Sequence, residues 1–299
     1  MPPAAIDGAL RAEYPFEARY LDVGAGSLHY LDEGPRGSDG GALLMLHGNP
    51  TWSFYYRSLI QAFSPSHRCV VPDHLGCGLS DKPQDWRYDL AGHIANLERL
   101  VEALDLRRIT LVLHDWGGPI GMGFARRHPE RIARLVVMNT AAFPSARCPL
   151  RIRVCRTPGI GPFLVRRLNA FAGMAPRMAV AHRLSDTARR GLGLPYDSFA
   201  HRVAIARFVR DIPLTPAHPS YAEIEAIGAA LPRFAGLPTC IVWGERDFCF
   251  TPAFREEWQR RFPAAEVHPL ARAGHWLLED APSEVAAILR AFLDAHPLP

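Results

Sequence analysis

The residues best placed to do chemistry lie in Leu111-Val-Leu-His-Asp-Trp-Gly-Gly118. The apolar run from Ile109 to Leu113 predicts a buried strand. Gly117 and Gly118 then let the chain turn sharply into a helix that starts near Pro119. A strand-to-helix turn of this kind pushes its central residue out over the end of a sheet. In the pattern G-x-S-x-G that residue is a nucleophilic serine. Here His114 takes the place of the first glycine and Asp115 that of the serine. A carboxylate cannot form a serine acyl-enzyme, but it can attack carbon and leave an ester on the protein. The exchange sets aside serine esterases and lipases. An aspartate between a strand and a helix can also be no more than an N-cap, so the rest of the constellation decides.

Four further features fall where Asp115 needs them. Gly274-His275-Trp276 follows the last predicted strand. Proteins with such a turn order their machinery as nucleophile, acid, histidine, and His275 is placed to be the base that activates water against an ester. The histidine needs a carboxylate to fix its tautomer and stabilise its charge. Asp247, in Trp243-Gly-Glu-Arg-Asp-Phe-Cys-Phe250, fits that role. Its rivals are Glu245 and Asp280, the latter expected at the start of the last helix. The other usual place for the acid holds Asn139, which cannot ionise. Leu46-His-Gly-Asn-Pro50 is a loop able to supply a backbone N–H to an oxyanion hole, beside that of Trp116. The amide of Asn49 and the indole N–H of Trp116 are donors suited to an anionic leaving group, halide or carboxylate.

The elements around these residues alternate. An opening hairpin spans Tyr20 to Gly34 with its turn at Gly24 to Gly26, and Gly37 to Gly41 is a loop. Strands are expected over 42–47, 69–72, 109–113 and 135–138, with helices over 54–63 and 90–104 and another after Gly118. The rhythm resumes with a strand over 239–243, a helix over 253–262, a strand over 266–269 and a final helix over 282–295. This alternation predicts an α/β fold with a mostly parallel sheet covered on both faces. Residues 143–217 break the rhythm and read as a helical cap inserted into a core of residues 1–142 and 218–299. Between Arg147 and Arg190 lie ten arginines and one acid, Asp186. That stretch reads as a solvated helical face or as a docking surface for an anionic partner or membrane.

Bulk composition sets wide bounds. The chain has 299 residues, 48% hydrophobic and 21% charged. No apolar run reaches the roughly 18 residues of a spanning helix, and Met1 to Gly8 shows no basic or apolar leader pattern, so a cytoplasmic location is expected. Six scattered cysteines form no C-x-x-C and predict buried thiols. Net charge is +4, and Lys82 is the sole lysine. The charge does not call for nucleic acid. No H-E-x-x-H, G-x-G-x-x-G or Walker pattern occurs, so neither a metal nor a cofactor is expected.

At the segments HGNPTWSFYYR (47–57), PDHLGCGLSDKP (72–83), LVLHDWGGPIG (111–121) and AGHWLLEDAP (273–282) the chain resembles the haloalkane dehalogenase family of the α/β-hydrolase fold. The resemblance runs through nearly all of the chain from about residue 20. It implies a nucleophile at Asp115, a base at His275, its acid at Asp247, and leaving-group donors at Asn49 and Trp116. MNTAAFP (138–144), LVRRLNAF (164–171), RFVRDIPL (207–214) and WGERDFCF (243–250) are similar to the branch containing the β-lactone decarboxylases of bacterial olefin biosynthesis. That branch implies conversion of cis-3,4-dialkyl β-lactones to cis-alkenes and carbon dioxide, a small hydrophobic substrate, and assembly with olefin-pathway enzymes through the cap. Dehalogenation and lactone decarboxylation share the same catalytic residues. Attack at the ring carbonyl and attack at the alkoxy carbon both stand open. An epoxide hydrolase would also use Asp115, with Tyr196 or Tyr221 as its acid. A binding module would keep the fold and lose the chemistry.

Overall fold

The structure, a computed structural model, describes residues 6–37 and 41–298. Part of the leader reading (residues 1–5) and the middle of the Gly37 to Gly41 loop (residues 38–40) lie outside the described residues. One sheet organises the chain. Its strands are β1 (Arg19–Asp22), β2 (Ser27–Glu33), β3 (Leu43–Leu46), β4 (Cys69–Pro72), β5 (Ile109–Asp115), β6 (Ile132–Thr140), β7 (Thr239–Gly244) and β8 (Glu266–Leu270). They lie in the order 1-2-4-3-5-6-7-8. β1 and β2 form the antiparallel hairpin at one edge, and β3 to β8 run parallel.

Burial follows from this order. Every residue of β3, β4, β5 and β7 is buried, as parallel strands covered on both faces require. Side chains alternate between the faces. Leu44, Leu46, Leu111 and Leu113 pack with Leu97 and Ile120 from the helices Leu90–Ala103 and Gly117–Arg127. Leu43, Met45 and Val112 turn the other way, onto Leu59 and Phe292 from the helices Arg57–Phe63 and Pro282–Ala295.

The observed elements adjust the expected ones in ways that have causes. The helix after the turn begins at Gly117, not Pro119. A side chain on Gly117 would run into the carbonyl of Leu46, so the glycine lets that helix press against β3. β6 begins three residues earlier than its apolar run because Arg134 is buried within the strand, bonding Thr110 Oγ1 at 2.9 Å. The helix Tyr221–Ala230 was not legible. Its apolar residues give no clear face, yet it packs on Gly117–Arg127, with Glu223 bonded to Arg126 at 2.8 Å.

Between β6 and β7 the described residues 141–238 hold no strand. Short helices fill the interval, among them Leu150–Arg156, Asp186–Gly193 and Val203–Arg210. This excursion lies over the carboxyl ends of the parallel strands. No helix among the described residues is long and apolar enough to cross a membrane.

Candidate active site

Asp115, Asp247, His275, Asn49 and Trp116 all lie at or just beyond the carboxyl ends of strands, where open α/β sheets gather their ligands. Asp115 ends β5 with φ of +49°, the left-handed region that costs a non-glycine residue roughly 1–3 kcal/mol. That conformation aims the carboxylate away from the sheet. Thr140 Oγ1 donates to the Asp115 carbonyl at 2.5 Å and holds the turn. Gly48 lies so close that any side chain there would collide with the Asp115 carboxylate.

The Asp115 carboxylate is buried and has two unlike oxygens. Oδ1 accepts the backbone N–H of Asn49 at 2.6 Å, and the N–H of Trp116 lies close enough to help stabilise the carboxylate. The two amides expected to form an oxyanion hole therefore already face the Asp115 carboxylate, with that of Asn49 on Oδ1. Oδ2 faces His275 Nε2 at 3.7 Å. Burial raises the Asp115 pKa above that of an ordinary aspartate; the nearby His275 charge and the two amides partly offset it.

His275 is anchored on its other side. Its Nδ1 lies 2.7 Å from Asp247 Oδ2. Burial opposes charge on the imidazole, but Asp247 and then Asp115 overcome it and raise its pKa. Its carbonyl accepts from His114 Nε2 at 2.8 Å, and the Phe250 ring stacks on it at 5.7 Å. Asp247 in turn accepts the N–H of Cys249 at 2.6 Å and the Asn139 amide at 2.9 Å.

The rival acids are elsewhere. Glu245 pairs with Arg255 at 2.8 Å. Asp280 does not start the last helix. It closes the turn Leu277–Asp280, and its carboxylate accepts the N–H groups of Gly274, Ala181 and His182. It thus ties the His275 loop to the excursion. Asn139 is more than a missing acid. Its amide bonds Asp247 Oδ2 and both the N–H and the carbonyl of Gly244, holding the end of β7 in place. Nothing in the sequence pattern gave that role, because it depends on β6 and β7 being neighbours.

Asn49 and Trp116 converge on the same floor, with one difference from expectation. Asn49 Nδ2 already donates to Ile205 O of the excursion at 3.2 Å, which leaves its second amide hydrogen for a ligand. Trp116 is fixed by Phe208, its ring 5.1 Å away. Above them lies a cavity of about 370 Å³ whose walls are nearly all apolar. Asp115, Asn49, Trp116 and His275 line it, as do Phe143, Phe171 and Trp276. Neither candidate tyrosine reaches it. Tyr196 is buried against Thr51 O at 3.1 Å, and no tyrosine lines the cavity among the described residues.

This arrangement is a buried carboxylate, an imidazole that can carry charge or accept a proton, and a pair of donors at the base of an apolar pocket. Residues 41–282 match the family model for the α/β hydrolase fold. The chain belongs to the α/β-hydrolase family. Within that family it is 46% identical, over 93% of this chain and 89% of the relative, to the cis-3-alkyl-4-alkyloxetan-2-one decarboxylase of Shewanella oneidensis. Identity to the same enzyme of Xanthomonas campestris is 41%, over 95% and 98%. Haloalkane dehalogenase 2 of Mycobacterium tuberculosis is 33% identical over 92% and 94%. Among solved structures, the haloalkane dehalogenase DbeA from Bradyrhizobium elkani superposes with a TM-score of 0.83 at 26% identity, covering 94% of this chain and 99% of that one. The resemblance read from the motifs therefore holds, for the fold and for the ordering of the two branches.

Proposed function

We propose that this α/β-hydrolase-family enzyme decarboxylates cis-3,4-dialkyl β-lactones, with Asp115 as nucleophile and the excursion 143–217 as the cap that closes its cavity. The observation that carries the reading is the greater identity to two oxetan-2-one decarboxylases, 46% and 41% over nearly full length, than to the dehalogenase at 33%. The apolar cavity suits a substrate with two alkyl chains.

These residues support a route in which atoms and electrons balance. Asp115 Oδ2 attacks the ring carbon bearing the alkoxy oxygen, and that C–O bond breaks with its electron pair moving to oxygen. An alkyl ester of Asp115 and a free carboxylate result. The Asn49 amide and the Trp116 indole hold that carboxylate. Carbon dioxide then leaves, its C–C electron pair forms the alkene, and Asp115 departs as a carboxylate. Neither water nor a net proton is consumed. Attack inverts the alkoxy carbon, and anti elimination then returns a cis-alkene from a cis-lactone. Attack at the carbonyl would leave an alkoxide with hydroxide-like leaving ability, so the alkoxy carbon is the better target. Throughout, Asp115 Oδ1 stays on the amide of Asn49.

A haloalkane would follow the first step and then diverge. Its ester has no carboxylate to lose, so release requires water activated by His275. The shared site is why dehalogenation stands as the second reading. Six unpaired thiols favour a reducing compartment, the cytoplasm. The deciding experiment is gas chromatography of products from a long-chain cis-lactone, run beside halide release from 1-bromobutane. Alkene formation with weak halide release is expected; efficient halide release without alkene would reverse the assignment.

A further inference from the structure

Large exposed apolar side chains are concentrated in the excursion. Leu150, Ile160, Phe163 and Leu168 are each more than half exposed, at 75%, 56%, 55% and 59%, and Met174 is exposed nearby at 44%. Charge is concentrated in the same segment. Residues 143–217 hold thirteen arginines and three acids, whereas the rest of the chain holds twenty-one basic and twenty-seven acidic residues. The excursion is thus strongly positive on a molecule otherwise net negative. Among the described residues, its arginines make ion pairs only at Arg189–Asp186 and Arg190–Asp7. The exposed guanidinium groups of Arg151, Arg167 and Arg177 have no carboxylate in reach.

The cavity opens on this face, because Arg147, Arg151 and Met174 are exposed and also line it. We propose that this face docks on an anionic lipid bilayer, with the apolar side chains entering the interface, the arginines on the headgroups and the cavity mouth turned toward the acyl chains. Apolar residues rimmed by cations bind interfaces in this way. The position of the mouth favours a bilayer over a protein. A docked protein would seal the entrance, whereas a bilayer holds long-chain apolar substrate directly at it. That last point rests on the function proposed above; the docking itself does not.

The test uses vesicles without substrate, so its failure would leave the catalytic reading untouched. The full chain is sedimented with vesicles of phosphatidylglycerol and phosphatidylcholine in equal parts, or of phosphatidylcholine alone. Retention by the anionic vesicles and release by about 0.5 M salt are expected. A cation near an anionic surface contributes roughly fivefold to partitioning. Arg167→Glu with Arg177→Glu should therefore weaken binding by at least about tenfold. Phe163→Ser with Leu168→Ser should weaken it independently, and both pairs should keep the parent's circular dichroism and turnover of dispersed substrate. Equal binding to both vesicle types, or none to either, overturns the proposal. So does a stable complex with a second protein through this face without lipid binding.

Discussion

His275→Gln separates the two chemistries proposed to begin at Asp115. The substitution removes the imidazole that faces the Asp115 carboxylate while leaving a side chain able to bond Asp247. His275 Nε2 lies 3.7 Å from Asp115 Oδ2. At an effective dielectric constant near 20, a unit charge at that distance stabilises the carboxylate by about 4 kcal/mol. Losing it raises the Asp115 pKa further, in the direction burial already pushes it, so variant and parent are compared at alkaline pH, where ionisation of the carboxylate is favoured. Lactone decarboxylation needs no water, so its rate should fall by only about tenfold. Steady-state halide release needs an activated water and should fall on the order of a thousandfold, within the usual worth of a general base. The assay pairs alkene by gas chromatography with halide release by the same variant. Intact-mass analysis after 1-bromobutane should show one butyl group, mapped to the Asp115 peptide. Parallel losses with the two substrates would refute the water-free route, and an adduct on another residue would refute Asp115 as nucleophile.

The remaining predictions follow from the same contacts. In the unmodified enzyme, lactone turnover should rise with pH through a limb set by Asp115, above the ordinary aspartate range because burial opposes its charge. Halide release should rise again at higher pH, through the raised His275 pKa, because only the neutral imidazole accepts water's proton; coincident pH–rate profiles would contradict this. Asn49→Ala and Trp116→Phe should each cut lactone turnover by on the order of a hundredfold, the cost of a preorganised donor, with little change in denaturation midpoint. Asn139→Leu should slow halide release more than lactone turnover, since it loosens Asp247 and through it the His275 tautomer; steady-state rates on both substrates test this. Glu279→Ala should cost about 2 kcal/mol in urea unfolding, because it removes two charge-assisted bonds from the largely buried Arg57, which keeps Glu13 at 3.0 Å and the Phe54 carbonyl at 3.1 Å.

Much of this molecule was determined by local sequence. The run Ile109 to Leu113 followed by Gly117-Gly118 fixes a buried strand and a sharp turn, because apolar β-residues and glycines permit little else there. Asp115 at that turn excludes a serine acyl-enzyme by the identity of its atoms alone, and the ester chemistry proposed above rests on it. The order Asp115, Asp247, His275 follows from which strands end where. What the chain could not disclose are relations across the sheet. Asn139 braces Asp247 only because β6 and β7 are adjacent, 108 residues apart in sequence at this bond. Asp280 pins Gly274, Ala181 and His182, and Asn49 reaches Ile205, because the excursion folds back over the strand ends. Arg134 hides inside β6 although its charge marks a strand's end in any local reading. Periodicity and turn chemistry act over a few residues and can be read from the chain. Hydrogen bonds between distant segments depend on how strands are ordered and how the excursion closes, and only the packed structure sets those.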